Sequence, residues 1–365
     1  MKLAQLPTPC LVLDRIILQR NVDAMARALA RHGVPLRPHM KTAKSIDAAW
    51  IALAGQPGGI TVSTLMEAPY FAGHGVRDIL YAVGITPQKL DAVAALGTRG
   101  GEMTVITDDP DVAVAIAAHP RPPRTLIEID TGEHRAGLAP DDDLLLAVAD
   151  RLGPHLAGVM THAGHSYAGR TTDDMARIAE TERAGAVRAA QRLRAAGHAA
   201  PIVSVGSSPT ALHAGSFQAI TEVRAGVYMF GDLFQAEIGT HEFGDIAVTV
   251  LASVIGRRPG HVLVDAGGLA LSKDRSTEAA PKDYGFGLVL DIDGRASMGE
   301  AIVRRAYQEH GVVELDPRRP VALAVGDKVR IAPNHVCMPA AAHDRYHVVD
   351  GTDAVCAIWP RVNGW

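Results

Sequence analysis

The chain has 365 residues, 47% hydrophobic and 21% charged, a composition that excludes disorder and fibrous repeats and fits a folded globular protein. A formal charge of -4 without basic runs among aromatics argues against nucleic acid, and no apolar run approaches the roughly 18 residues of a membrane span. Pro7 and Pro9 interrupt the start where a signal peptide needs an apolar stretch, and Cys10, Cys337 and Cys356 are too scattered for a disulfide framework, so the expected compartment is the reducing cytoplasm.

Short apolar β-type runs open the chain: CLVLD (10–14), VPLRPH (34–39), GITVS (59–63), DILYAV (78–83), EMTVIT (102–107), TLIEID (125–130), LAGVMTHAG (156–164), PIVSVG (201–206) and EVRAGVYMF (222–230). Segments such as QRNVDAMARALARHG and TERAGAVRAAQRLRAAGHA lie between them, with Ala and Leu at helical spacing and Arg on the other face. Eight or nine such units over about 230 residues predict an α/β fold, a (β/α)8 TIM-type barrel. Beyond residue 240 the texture changes to IAVTVLASVIGR, HVLVDAGG, YGFGLVLDI, KVRIAPNHVC, YHVVDG and AVCAIWP, which predicts a second, smaller all-β domain. The expected boundary gives 1–242 to the barrel and 243–365 to the β domain, with the first strand free to join the latter; Pro317 to Pro320 reads as a surface loop.

The chemistry-bearing residues gather at predicted strand ends, where a parallel barrel has its mouth. Lys41, in LRPHMKTAK (36–44), reads on pattern alone as a solvated helix-start lysine or as a reactive amine, favoured by partial burial and by positive charge on Arg37 and His39. In SVGSSPT (204–210), Gly206, Ser207 and Ser208 read as a plain turn or as a phosphate cradle of small side chains, hydroxyls and exposed backbone N–H groups. His162 and Tyr167, in THAGHSY (161–167), are strand-end residues open to a structural or a catalytic role. His335 and Cys337, two apart in a segment expected to be extended, would share one face; they read as a buried cysteine beside a satisfied histidine or as a zinc pair.

RPHMKTAK resembles the cofactor-lysine segment of the D-serine dehydratase and D-threonine aldolase family, pyridoxal-phosphate enzymes built on the alanine-racemase-type barrel. The resemblance continues in order through EIDTGEHRAG, THAGHSY, SVGSSPT, EVRAGVYMFGD, VDAGGLALSKD, YGFG, QEHG and PNHVC, covering nearly the whole chain. It implies that Lys41 carries pyridoxal 5'-phosphate covalently, that Arg135 faces the cofactor's phenolic oxygen, and that Gly206, Ser207 and Ser208 hold its phosphate. It further implies that Arg224 faces the pyridine nitrogen, which a guanidinium would keep unprotonated, that His162 lies against the ring, and that Tyr228 belongs to the same cofactor site. Tyr167 is then a substrate or acid–base group. His335 and Cys337 resemble the dehydratases' metal pair, whereas the aldolases carry His-x-Asp there.

The implied activity is a zinc-assisted lyase reaction on a D-3-hydroxy amino acid, with Lys41 as general base and the cation, zinc or another divalent metal, easing departure of the 3-hydroxyl to give a 2-oxo acid and ammonia. Retro-aldol cleavage is the alternative; racemisation and a non-catalytic cofactor-binding role follow. D-Serine, D-threonine and D-3-hydroxyaspartate all satisfy the requirement. The resemblance also implies a homodimer, with Glu309 and His310 of QEHG bordering its closed site.

Overall fold

The computed structural model describes residues 1–97, 101–319 and 321–365; Pro320, the end of the expected loop, lies outside the described residues. Two compact units emerge, Ala24–Gly226 with Val362–Trp365, and Met1–Asp23 with Val227–Arg361. The division therefore falls at 226/227 where the sequence reading drew it at 242/243, and the N-terminal strand goes with the second unit. In chain order the first strands are β1 (Cys10–Asp14), β2 (Leu36–Pro38), β3 (Ile60–Val62), β4 (Asp78–Gly84), β5 (Glu102–Thr107), β6 (Arg124–Ile129), β7 (Leu156–Thr161), β8 (Ile202–Val205) and β9 (Glu222–Ala225).

Strands β2 to β9 form one parallel sheet in the order β2-β9-β8-β7-β6-β5-β4-β3, and a parallel bridge between His39 and Thr61 joins its two edges. The result is the expected (β/α)8 architecture, a nearly closed eight-stranded barrel. Its strands are buried on both faces, as in β6 where all but the first residue are inaccessible, which explains their unbroken apolar runs. Leu80, Ile106, Leu126, Ala157 and Met160 pack into one cluster across four adjacent strands, where burial of each Leu, Ile or Met side chain contributes about 1.5–3 kcal/mol. Because all eight strands run the same way, the segments following β2, β6, β7 and β8 collect at one end, and the catalytic candidates lie on them.

The second unit continues with β10 (Val248–Arg258), β11 (His261–Val264), β12 (Leu288–Leu290), β13 (Ile302–Ala306), β14 (Gly311–Glu314), β15 (Lys328–Ala332), β16 (Arg345–Val349) and β17 (Val355–Pro360). Its nine-stranded sheet runs β11-β14-β13-β12-β15-β10-β1-β16-β17. Strand β1 is interior, antiparallel to β10 with Cys10 opposite Leu251 and parallel to β16 with Leu11 opposite Tyr346. A strand buried on both faces has the same apolar signature in a mixed sheet as in a barrel, so CLVLD gave no period by which to place it.

Three local expectations need correction. Strands β13 and β14 went unread because Arg304 and Arg305 break the alternation; the register shift between Val303 and Arg305 is a bulge that turns both arginines outward. EVRAGVYMF is a strand only to Ala225, after which Val227–Met229 forms a 3-10 turn that contains Tyr228. PNHVC is not extended: β15 ends before Pro333, which has no N–H to continue a ladder, and Cys337 opens the helix Cys337–Ala342.

Candidate active site

Lys41 lies beyond the end of β2 with its side chain exposed. The second lysine of the motif is committed elsewhere: Lys44 Nζ is 3.3 Å from the buried Glu67 carboxylate, and its backbone, at φ 45°, accepts a hydrogen bond from Val362 N. The expectation of Arg37 beside Lys41 is wrong. Its guanidinium bonds Glu222 and Asp78, the first residues of β9 and β4, and so sits at the opposite end of the barrel.

His39 is likewise not a positive neighbour. Desolvation, reinforced by the nearby charges of Lys41 and Arg224, pushes its imidazole well below its ordinary range. The same causes, desolvation first and Lys41 next, bring His162 down to about 3. Both rings are therefore neutral at physiological pH. His162 Nδ1 donates to Gly206 O at 2.9 Å, which leaves Nε2 as the unprotonated nitrogen; His39 Nδ1 instead accepts from Lys41 N at 3.3 Å.

Arg224, 3% exposed, reaches from β9 across β8 to β7, with Nη1 donating to Ser204 Oγ at 2.7 Å and Nη2 to Thr161 O at 2.5 Å. Desolvation lowers it, while Glu222, Glu182 and Glu128 oppose the change, and a guanidinium stays charged throughout. Ser204 Oγ passes the contact on to Glu222 at 2.6 Å.

At the SVGSSPT turn, Gly206 has φ 136° and a Cβ there would collide with Arg224 O, so only glycine lets β8 end this close to β9. Ser207 caps the helix Ser208–His213 through Thr210 N, and its hydroxyl meets Ser166 Oγ at 2.8 Å; Ser208 is 1% exposed. The backbone N–H groups expected to be open are not. Gly206 N donates to Glu182 and Ser207 N to Thr210 Oγ1, so any phosphate held here relies on the hydroxyls and the remaining turn donors. Glu182 Oε1 also accepts from Ala163 N, tying the ends of β7 and β8 together.

Arg135 is exposed and acts by charge on Glu128 and His162. Tyr167 is half-buried in the 3-10 turn Gly164–Ala168 that follows β7. Tyr228, fully buried, belongs to the second unit.

In that second unit His335 and Cys337 come together through a bend rather than a strand. His335 Nδ1 lies 3.2 Å from Asp232 Oδ2, an oxygen that also accepts from Val336 N at 3.0 Å. Burial disfavours the imidazolium, but Cys337 and Asp232 outweigh it and raise His335 well above its ordinary range. Among the described residues no third His, Cys, Asp or Glu completes a metal-binding group, so the chain offers a pair with room for other ligands.

Sequence reasoning missed Glu182, Glu222, Ser166, Ser204 and Asp232. Each acts on a residue distant in the chain, 103 positions away for Asp232, and no local spacing marks it.

The donor chemistry fits the expected groups. An exposed strand-end amine stands with two neutral imidazoles, a buried guanidinium and a hydroxyl-lined turn, a set that suits pyridoxal phosphate, and an imidazole beside a thiol suits a borderline-soft divalent cation.

Comparison with known proteins agrees. Residues 13–233 match the model of the alanine racemase N-terminal domain, and residues 247–349 that of a putative serine dehydratase domain. The chain is 43% identical over 378 residues to the D-threo-3-hydroxyaspartate dehydratase of Delftia sp. HT23, covering 100% of this chain and 99% of that one. The D-serine dehydratase of Schizosaccharomyces pombe is 30% identical over 395 residues, covering 99% and 92%. The solved structure of the Delftia enzyme superposes with a TM-score of 0.95 at 42% identity and full coverage of both chains. The chain therefore belongs to the alanine-racemase-like family of pyridoxal-phosphate lyases that act on D-amino acids, beside the D-serine and D-3-hydroxyaspartate dehydratases.

Proposed function

We propose that this enzyme is a pyridoxal-phosphate- and zinc-dependent dehydratase of D-3-hydroxy amino acids, with D-3-hydroxyaspartate as the leading substrate, releasing a 2-oxo acid and ammonia. The observation that carries the reading is a full-length match to a D-threo-3-hydroxyaspartate dehydratase together with a His-x-Cys pair. A Cys-to-Ala form of such a dehydratase has been solved metal-free, which supports a metal in that protein.

Pyridoxal phosphate, when bound, supplies an aldehyde to capture the substrate amine and a conjugated ring to acidify the α-carbon; a divalent cation supplies a Lewis acid for the 3-hydroxyl. Lys41 would hold the cofactor, and its amine, freed by the incoming substrate, would take the α-proton. Ser207 and Ser208 would hold the phosphate and Arg224 the ring nitrogen, with Arg135 and Tyr228 at the cofactor's other contacts. His162 would present Nε2, an acceptor, because Gly206 O already holds the Nδ1 proton. Tyr167 would orient substrate, and His335 with Cys337 would bind the cation.

A homodimer forms part of the same reading, since Lys41 and Arg135 stand exposed on one chain and a second copy laid over them would exclude water. Light scattering that finds a fully active monomer would remove it. The cytoplasm is the proposed compartment, in keeping with three free cysteines. No helix among the described residues is long and apolar enough to cross a membrane.

The test of the activity is a panel of D-3-hydroxyaspartate, D-serine and D-threonine scored for ammonia and 2-oxo acid against glycine and aldehyde. Glycine from D-threonine with no 2-oxo acid would replace dehydration by aldol cleavage.

A further inference from the structure

We infer that Asp232 is a positioning residue for the metal pair: it selects the ring nitrogen that His335 offers to the cation. The inference rests on the proposed metal role of His335 and Cys337.

Asp232 is fully buried and divides its two oxygens between two tasks. Oδ1 caps the helix Leu233–Glu237 by accepting from Gln235 N at 2.8 Å. Oδ2 accepts from His335 Nδ1 at 3.2 Å and from Val336 N at 3.0 Å. The two segments are further laced by Leu233 N donating to Pro333 O and Phe234 N to Asn334 O, both at 3.1 Å. The carboxylate is therefore held in place by backbone on both sides. It cannot turn away from the imidazole without losing a bond.

A carboxylate has no proton to give, so the hydrogen between Asp232 and His335 belongs to Nδ1. The lone pair available for coordination is then on Nε2, and the ring plane is fixed by the Asp232 contact. Metal-binding histidines owe their tautomer and basicity to such an outer partner, whose loss lowers metal affinity about 10- to 100-fold.

Two substitutions separate this role from helix capping. Asp232→Ser keeps a capping oxygen for Gln235 N and removes the acceptor for His335; Asp232→Asn keeps the shape, but its single oxygen serves the helix or the histidine and not both. Cobalt(II) titration, followed by the thiolate-to-metal charge-transfer band, should give about 10-fold or more weaker binding in Asp232→Ser with helix content unchanged, and in Asp232→Asn the same loss when its oxygen stays on the helix. In zinc-loaded wild-type enzyme labelled with 15N-histidine, His335 should carry the metal on Nε2 and the proton on Nδ1. Metal on Nδ1 overturns the inference, and this spectrum decides the matter even if neither variant folds. Unchanged cobalt affinity in both Asp232 variants, with loss in Cys337→Ala, overturns the role of Asp232 and leaves the pair standing. Equal cobalt binding by wild type and Cys337→Ala removes the metal site itself, and the inference with it.

Discussion

Two histidines in the two units have been driven in opposite directions by their surroundings. His162, at the barrel mouth, keeps a carbonyl on Nδ1 and feels Lys41, Arg224 and Arg135, so burial and positive charge leave it neutral. His335 keeps a carboxylate on Nδ1 and a thiol nearby, so the same burial is overridden and the ring favours its charged form. A carbonyl partner and an arginine make a fixed hydrogen-bond acceptor out of imidazole. A carboxylate and a thiol make a site that welcomes positive charge, whether a proton or a metal ion.

The largest expected effect lies on the barrel side. Lys41→Ala should lower turnover by at least the roughly 10^2- to 10^4-fold associated with losing a general base, and borohydride reduction followed by peptide mapping should label Lys41 in the wild type. A label on Lys44 would contradict the assignment, since that amine is already paired with Glu67.

On the other side, Cys337→Ala should reduce metal content and rate together, by about 10-fold or more, and chelation should stop turnover without releasing the cofactor. Cofactor loss on chelation would break the separation between the two sites.

The difference between the histidines also predicts a pH dependence. With His162 at about 3 when folded and near its ordinary 6.5 when unfolded, its contribution is present above 6.5 and is lost as pH falls from there toward 3. The contribution is on the order of a few kcal/mol. Thermal unfolding across this window should show His162→Asn losing less stability on acidification than wild type, and parallel curves would refute the assignment.

Ser204→Ala is the mildest test. It would strand Arg224 Nη1 and one oxygen of Glu222, costing about 1–3 kcal/mol in urea unfolding while leaving metal affinity unchanged.

What the sequence made legible follows the same line of division. Barrel strands announced themselves by unbroken apolar runs, and Lys41 by its place at the end of one. The pairing of His335 with Cys337 was visible as a two-residue spacing, but its geometry was misread, because Pro333 ends β15 and a helix begins at Cys337. Arg37 shows that nearness in sequence is not nearness in space: it stands inside β2, and its side chain turns to the other end of the barrel, where Glu222 and Asp78 answer its charge. The carboxylates that tune the sites, Glu182, Glu222 and Asp232, act across the fold and leave no local pattern. They become visible only once the strands are assembled.

The account stands or falls on what the enzyme makes from D-threo-3-hydroxyaspartate in the presence of zinc and after chelation. It predicts stoichiometric ammonia and 2-oxo acid with zinc, abolished by chelator and restored by metal. Glycine in place of the 2-oxo acid, or ammonia released at full rate by the chelated enzyme, would contradict it.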